Sequence, residues 1–462
     1  MSTETLAGGR ITLHCGDCLS VMAAMEPESV DAIVTDPPYH LQSIVSRFAK
    51  SESARSSSGP HQRTANGFMG KAWDGGDVAF RIETWAAALR VLKPGGWIVA
   101  FSSSRTFGRM SVALEDAGAI THPMLGWIFG QGFPKAHDAA KAIDRELGTR
   151  GEIEPTGAPV RRIRPGADQH ADGTWEKLPD RTYQPGTYRP ASPEAERWQG
   201  YAYGGQALKP ALEPIYMGQK PFSERNGAAN ILKHNVGALN IDGCRIPVED
   251  DAYARNAAGD RGHDQNRSRA MGFAMTAGRA SDIGRWPANL AHDGSPEVIA
   301  SFPDAPGAQA PVTGAEPTAH GFSGVVYGYG GTAKRALSEP RPDAGGSAAR
   351  YFYAAKAGAD DRLGSSHPTV KPLDLMRWLV RMVLPPGGGT ILDPFAGTGT
   401  TGAAAFIEGA RAILIEREAE YQADIRRRME ALLAGPDERR RIAARPHQEA
   451  ASGLPLFGGG AE

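Results

Sequence analysis

The chain has 462 residues and a formal net charge of -1, so a nucleic-acid partner would have to meet a local basic groove, because the surface as a whole is not basic. Its three cysteines exclude a disulfide framework and suit a reducing cytoplasm, and Cys15 and Cys18 form only half of a zinc-like spacing, so no metal is expected. Met1 to Arg10 is polar and no later stretch approaches a membrane span, which points to a soluble intracellular protein with no membrane partner.

Arg10 to Cys15 alternates like a short strand and ends in Gly16-Asp17, and Leu19 to Met25 reads as a brief helix. Asp17 either caps that helix or lies on the active rim of a sheet. Ala32 to Val34 is a buried parallel strand that delivers Asp36-Pro37-Pro38-Tyr39 to its carboxyl end, where open α/β sheets do their chemistry. The two prolines stiffen the loop. The Asp36 carboxylate and a proline carbonyl are then placed to accept hydrogen bonds from an exocyclic amine, while the Tyr39 ring stacks on the heterocycle carrying it. Leu41 to Asp77 is polar, with Lys71-Ala72-Trp73-Asp74 as its distinctive island, and reads as a loop that closes over a substrate. Ala79 to Leu92 is helical, with Trp85, Leu89 and Leu92 on one face, and Lys93-Pro94-Gly95-Gly96 stops it. Trp97 to Phe101 is another buried strand, Thr106 to Ala117 a helix, and Met124 to Phe129 an apolar run.

From about Ala136 to Ser365 the βα alternation lapses, and the stretch is rich in Gly, Ala, Pro and Arg. It reads as a second module of irregular structure. Within it Ala228 to Leu232 starts a helix, Gly237 to Arg245 forms a strand and turn, and Ala348 to Ala355 is a short aromatic strand. Arg161, Arg162 and Arg164, and more diffusely Arg255, Arg261, Arg267, Arg269, Arg279 and Arg285, are either solvated loops or phosphate and groove contacts. Ala305 to Gly346 has the composition of a disordered segment.

The core resumes at His367-Pro368-Thr369-Val370-Lys371-Pro372, followed by a helix over Leu373 to Val383 with Leu375, Leu379 and Val383 at helical spacing. Thr390-Ile391-Leu392-Asp393-Pro394-Phe395-Ala396-Gly397-Thr398-Gly399 then runs from a strand through a glycine turn into a helix over Ala403 to Gly409, a site for the backbone of a nucleotide-like ligand. Ala412 to Ile415 is a strand ending in Glu416, an acid placed to take both hydroxyls of a ribose. Gly397, Gly399 and Gly402 complete a G-x-G-x-x-G, so a nicotinamide oxidoreductase has to be weighed. Its fold needs several more strands after the acid, whereas only one helix and a charged tail follow here. The sheet closes only with the N-terminal strands, which makes it circularly permuted, and Asp393 suits a cationic group better than a dinucleotide phosphate.

With these motifs in this order, the sequence resembles the amino-group DNA methyltransferases that use S-adenosyl-L-methionine, in the permuted beta group, and especially the phage and prophage modification methylases. Asp36-Pro37-Pro38-Tyr39 matches the family's catalytic tetrapeptide and Asp393 to Gly399 its methionine-binding loop. The stretch Gly16-Asp17-Cys18 matches the adenine contact, Glu416 the ribose acid, and His367 to Pro372, with Thr369 and Lys371, the segment before the cofactor loop. Leu208-Lys209-Pro210, Leu239 to Arg245 and Arg285-Trp286-Pro287-Ala288-Asn289 resemble the phage-like members. The resemblance implies a circularly permuted Rossmann-like α/β sheet. Residues 10–135 form its catalytic half, 136–364 an inserted target-recognition region, 365–435 the cofactor half and 436–462 a flexible tail.

The resemblance also implies S-adenosyl-L-methionine as cofactor, double-stranded DNA as partner, base flipping, and a cytoplasmic, nucleoid-associated setting. The reaction implied is methylation of adenine N6, with cytosine N4 as the alternative. An RNA or protein methyltransferase and a non-catalytic DNA-binding subunit are further readings, and intact Asp36, Tyr39, Asp393 and Glu416 speak against the last. Lys71, Trp73 and Asp74 are expected at the flipped base, and a homodimer fits the group. Finally, Gly453-Leu454-Pro455-Leu456-Phe457 resembles a sliding-clamp-binding peptide, through Leu454, Leu456 and Phe457, with glycine where that peptide usually has glutamine.

Overall fold

The computed structural model describes residues 2–39, 77–130, 132, 135–158, 160–161, 167–169, 175–177, 182–183, 185–247, 284–304, 346–355, 359–365, 367 and 369–435. The chain divides into two compact units, one of Met1–Gly130 with Leu212–Glu462 and one of Gln131–Ala211.

The first unit is built on one sheet. Its strands are β1 (Ser2–Leu6), β2 (Ile11–Cys15), β3 (Val30–Thr35), β4 (Leu92–Phe101), β5 (Ile120–Ile128), β14 (Leu212–Gln219), β15 (Leu290–His292), β16 (Tyr353–Ala354), β17 (Thr390–Asp393) and β18 (Arg411–Glu416), where β6 to β13 belong to the second unit. Their order is β1-β2-β18-β17-β3-β4-β14-β5-β15-β16. Strands β2, β18, β17, β3 and β4 are mutually parallel, and β14 runs antiparallel to β4 and β5 on either side. Every residue of β3 is buried, as a strand covered on both faces requires.

Successive side chains of the central strands enter opposite layers. Ile391, Leu414 and Val99 join one cluster with the helices Leu373–Val383 and Thr400–Ile407. Leu392, Ile415 and Ile98 join the other with Trp85 and Leu114 of the helices Ile82–Val91 and Phe107–Asp116. At the amino ends Asp31 ties the centre together, accepting from Lys93 Nζ and from the Thr390 backbone N–H, both at 2.6 Å.

This order creates a switch point. From β17 the chain passes through the helix Thr400–Ile407 to β18 on one side, and from β3 through the helix Ile82–Val91 to β4 on the other. The crevice outside the carboxyl ends of β17 and β3 is where such sheets bind ligands. The sheet is Rossmann-like and permuted, because the strand with the glycine loop comes late in the chain while the strand beside it comes early.

The inserted region differs from the sequence reading of 136–364. The compact second unit is Gln131–Ala211, and β14, β15 and β16 return to the main sheet, with Tyr216 fully buried and Ile215 1% exposed. An antiparallel strand reached through an insert has no crossover helix to announce it, so a search for βα alternation passes over it. Gly237 to Arg245 holds a 3-10 turn over Asp242–Cys244 in place of a strand, and of Ala348 to Ala355 only Tyr353–Ala354 is strand. The helix start at Ala228 is found within Gly227–His234, capped by Asn226 and ended by Asn235 at φ 57°. Arg162, Arg164, the arginines from Arg255 to Arg279, the segment 305–345, and Leu454, Leu456 and Phe457 lie outside the described residues.

The second unit is a series of nested antiparallel pairs. Strand β6 (Lys135–Asp138) pairs with β13 (Ala202–Gln206), β7 (Glu152–Pro155) with β12 (Gly186–Arg189), β8 (Val160–Arg161) with β11 (Thr182–Tyr183), and β9 (Ala167–Gln169) with β10 (Trp175–Lys177). Asp144, in the helix Ala139–Glu146, is its polar hub. It accepts from Ser192 Oγ at 2.5 Å, Tyr188 Oη and Ala191 N at 2.8 Å, Ser192 N at 3.0 Å and Thr149 Oγ1 at 3.1 Å. Burial opposes its ionisation, but the hydrogen bonds from Ser192, Ala191, Tyr188 and Thr149 prevail and hold its carboxyl well below the usual range. An acid depressed in this way stabilises the fold above its ordinary pKa and loses that contribution as pH falls. Asp144→Asn, which turns one acceptor into a donor facing other donors, is expected to raise proteolytic cleavage within 131–211 roughly tenfold at neutral pH while the first unit stays intact. Limited proteolysis with mass mapping checks this, and in the unsubstituted protein the same cleavages should appear only on acidification below about pH 4.

Candidate active site

The carboxyl end of β3 carries Asp36, Pro37, Pro38 and Tyr39, with Pro37 buried and the other three half-buried. Tyr39 Oη donates to Asp36 Oδ1 at 2.7 Å, and Lys371 Nζ donates to Asp36 Oδ2 at 2.7 Å and to Tyr39 Oη at 3.1 Å. Lys371 Nζ lies 4.9 Å from the centroid of the Phe101 ring and 5.4 Å from that of Tyr39, within cation–π range of both. A second carboxylate approaches it: Glu213 Oε2, from β14, lies 3.3 Å from Lys371 Nζ. Burial alone would lower the Lys371 pKa, but Asp36 and Glu213 outweigh it and the ammonium is held above its ordinary value. Glu213 is shifted up, first by burial and also by the charge of Asp36, against the pull of Lys371.

The glycine loop sits beside this cluster. Thr35 Oγ1, the last side chain of β3, donates to Asp393 Oδ1 at 2.6 Å, and the Phe395 backbone N–H donates to the same oxygen at 3.1 Å. Burial raises the Asp393 carboxyl to about 6 even against these bonds. Gly397 and Gly399 have φ of 51° and 78°, and a Cβ on Gly399 would stand 3.0 Å from Ile425. One strand over, Glu416 accepts from Gly397 N and Glu418 N, both at 2.8 Å. Burial carries its carboxyl to about 7.

Two further groups fix the loop from behind. Arg428, 3% exposed, donates from Nε to Thr398 O at 2.8 Å and from Nη2 to Asp361 O at 2.6 Å, and burial lowers its pKa to about 10. The His367 ring lies 4.5 Å from that of Tyr421, edge-on, and burial lowers its pKa, which favours the neutral imidazole.

The structure brings Asp36, Tyr39, Asp393, Pro394, Phe395, Ala396, Gly397, Thr398, Gly399 and Glu416 to one rim, and His367 behind it. Asp17 answers to both of its readings: it caps the helix Cys18–Ala24, accepting from Ser20 N at 3.0 Å, and it follows Gly16, whose N–H donates to Glu416 O at 3.0 Å. Three candidates stand differently. Cys18 has its side chain in the core, its thiol pushed up to about 11 by burial, which leaves only its backbone to a ligand. Lys371, expected near the cofactor loop, pairs with Asp36 and Glu213. Thr369 is exposed, its N–H donating to His367 Nδ1 at 3.3 Å. Lys71, Trp73 and Asp74 lie outside the described residues.

Sequence reasoning missed Glu213, Phe101, Thr35 and Arg428 as members of the site. Thr35 ends β3, which flanks the switch point, and Phe101 ends β4 beside it, so strand ends alone would have found them. Glu213 and Arg428 carried no signal, since one opens an unpredicted strand and the other is one arginine among three consecutive ones in a helix.

Asp393 and Glu416 bind protons in the native state at a pH where an unfolded chain has lost them, so stability falls as pH rises through this range. The thermal midpoint of the ligand-free protein is therefore expected to decline between about pH 4 and pH 7. Glu416→Gln should remove the upper part of that decline, and calorimetry across the range measures it.

A family model described as DNA methylase matches residues 344–427. The chain is 24% identical over 243 residues to the type II methyltransferase M.HindIII of Haemophilus influenzae, covering 49% of this chain and 64% of that protein. It is 41% identical over 71 residues to the type II methyltransferase M2.DpnII of Streptococcus pneumoniae, covering 15% of this chain and 26% of that protein. The matches thus span less than two thirds of either relative. Of solved structures, the cytosine-N4-specific PvuII DNA methyltransferase aligns over 97% of both chains at 12% identity and a TM-score of 0.40. The segment that matches the DNA methylase model, 344–427, holds the glycine loop and Glu416.

Proposed function

We propose that the protein is a site-specific DNA methyltransferase that moves a methyl group from S-adenosyl-L-methionine to the N6 amino group of adenine in duplex DNA. The observation that carries this reading is the joining of the Asp36 to Tyr39 tetrapeptide to the glycine loop by the Thr35–Asp393 hydrogen bond at 2.6 Å. An amine acceptor and a cation-seeking carboxylate thereby share one crevice.

The residues present fit the cofactor. Asp393 is buried among the neutral partners Thr35, Thr401 and Phe395, an environment that a cationic amino group would relieve. Glu416, a carboxylate with about four acceptor sites, still has room for ribose hydroxyls beyond the backbone bonds it accepts from Gly397, Arg417 and Glu418. Gly397 and Gly399 let the backbone come close to the ligand. When bound, S-adenosyl-L-methionine supplies an electrophilic methyl group. Asp36 and the Pro37 carbonyl hold the hydrogens of the target amine and turn its lone pair toward that methyl, and Tyr39 stacks on the flipped base. Positioning of two bound reactants supplies most of the rate, with no covalent enzyme intermediate. Duplex DNA is the proposed partner, with a cytoplasmic setting, and a homodimer belongs to the same reading. Adenine is preferred over cytosine N4 because the tetrapeptide begins with Asp, which in the family more often accompanies adenine.

The test is transfer of labelled methyl to unmethylated duplex DNA, followed by nucleoside mass spectrometry. N6-methyladenine is expected, and Asp36→Ala should lower the rate roughly 100-fold or more while cofactor binding persists. N4-methylcytosine would keep the reaction and reverse the base, and cofactor binding without any DNA product would remove the reading.

A further inference from the structure

We infer that Glu213 is a positioning residue for methyl transfer, balancing the charge of Lys371 so that Asp36 meets the target amine as an effective negative acceptor. The inference rests on the methyltransferase reading above and adds to it a residue from outside both motifs.

Lys371 is 6% exposed and stands 2.7 Å from Asp36 Oδ2. With that pair alone, an ammonium would cancel the carboxylate on which the amine has to act. Glu213 Oε2, its atom fully buried, stands 3.3 Å from the same Nζ. With both carboxylates and the ammonium in their charged forms the cluster carries a charge of -1 around the buried Lys371. The placement follows from topology: β14 runs antiparallel beside β4, with Ile215 opposite Phe101, so Glu213 enters at the rim where Phe101 ends β4 and Asp36 follows the end of β3.

The charge count matches the reaction. A bond forms between the amine nitrogen and the methyl carbon as the carbon–sulfur bond breaks, and the electrons of the broken bond stay on sulfur. The nitrogen becomes cationic and gives one proton to Asp36, so the methylated base leaves neutral. The cluster goes from about -1 to neutral as it takes that proton. Without Glu213 it would begin neutral and end positive in a buried site, which disfavours the transfer. Lys371, Asp36 and Tyr39 are the charged and titratable groups acting on Glu213, so its titration belongs to this cluster. The upward shift of the Glu213 carboxyl is in keeping with a cluster built to take up a proton.

The experiment uses the full chain with saturating S-adenosyl-L-methionine and unmethylated duplex DNA. Glu213→Gln is expected to lower kcat about 10- to 100-fold, with cofactor affinity and the KM for DNA changed by less than about threefold. The acid limb of its pH–kcat profile should move. Glu213→Asp, which keeps the charge, should stay within about fivefold of the unsubstituted enzyme. The informative variant is the double substitution Glu213→Gln with Lys371→Gln, which leaves Asp36 as a lone carboxylate and restores the charge of -1. It should regain about tenfold over Glu213→Gln alone, which lost packing would not do. An unchanged kcat in Glu213→Gln, or a double variant no faster than the single, would overturn the inference while leaving the methyltransferase reading intact. An unsubstituted protein that binds the cofactor yet methylates no DNA would overturn both.

Discussion

Thr35 and Asp393 are 358 positions apart, and the hydrogen bond between them at 2.6 Å is the contact on which the site depends. Each ends a strand, and Ala32 and Ile33 of β3 lie in register with Ile391 and Leu392 of β17. That pairing brings together the two halves of a sheet that the permuted order has separated. Because parallel strands put their carboxyl ends on one side, fixing this register also fixes the acceptor loop against the ligand loop. A slip by one residue would turn Asp393 away from the crevice and Leu392 toward it. Asp31 guards against such a slip at the other end, where it binds the Thr390 N–H.

The rim assembled in this way is unusually acidic. Asp36, Glu213, Asp393 and Glu416 converge on it, and the cation bound within it is Lys371. Burial shifts the Glu213, Asp393 and Glu416 carboxyls upward, a desolvation penalty that a cationic or hydrogen-bond-donating partner relieves. A site of this kind selects for positive charge and for hydroxyl or amine donors, and it disfavours phosphate. The G-x-G-x-x-G pattern therefore serves a different ligand from the one its spacing first suggests, because the carboxylate before the glycines changes what they can cradle.

How much of this was legible in the sequence followed from the range of the interactions. The placement of the tetrapeptide, the glycine loop and Glu416 at strand ends could be read because each is a local strand-to-turn pattern. The permutation could be read as well, since the tetrapeptide precedes the glycine loop in the chain. Glu213 could not, because its role comes from a lysine 158 positions away, as the numbering gives, and from a strand direction that no local pattern encodes. The extent of the insert was misjudged for the same reason: β14 has a periodicity that reads as strand only once β4 and β5 are known to flank it.

Rigidity at the ligand loop has a cost that is met from behind the sheet. Gly397 and Gly399 give the loop its shape, but glycine also makes a chain floppy, and a mobile loop would hold its ligand poorly. The helix Ala419–Leu433 corrects this. Arg428 binds the Thr398 carbonyl, Ile425 packs where a Cβ on Gly399 would sit, and Tyr421 meets the His367 ring. These contacts come from one face of one helix, at spacings of four and three residues, so the helix acts as a rigid strut along the loop. Burying the Arg428 guanidinium is expensive, and its pKa falls to about 10 as a result. Buried cations are retained where they satisfy backbone carbonyls, and here those are Thr398 O and Asp361 O. The helix Ala419–Leu433 thus shapes the glycine loop through Arg428, Ile425 and Tyr421.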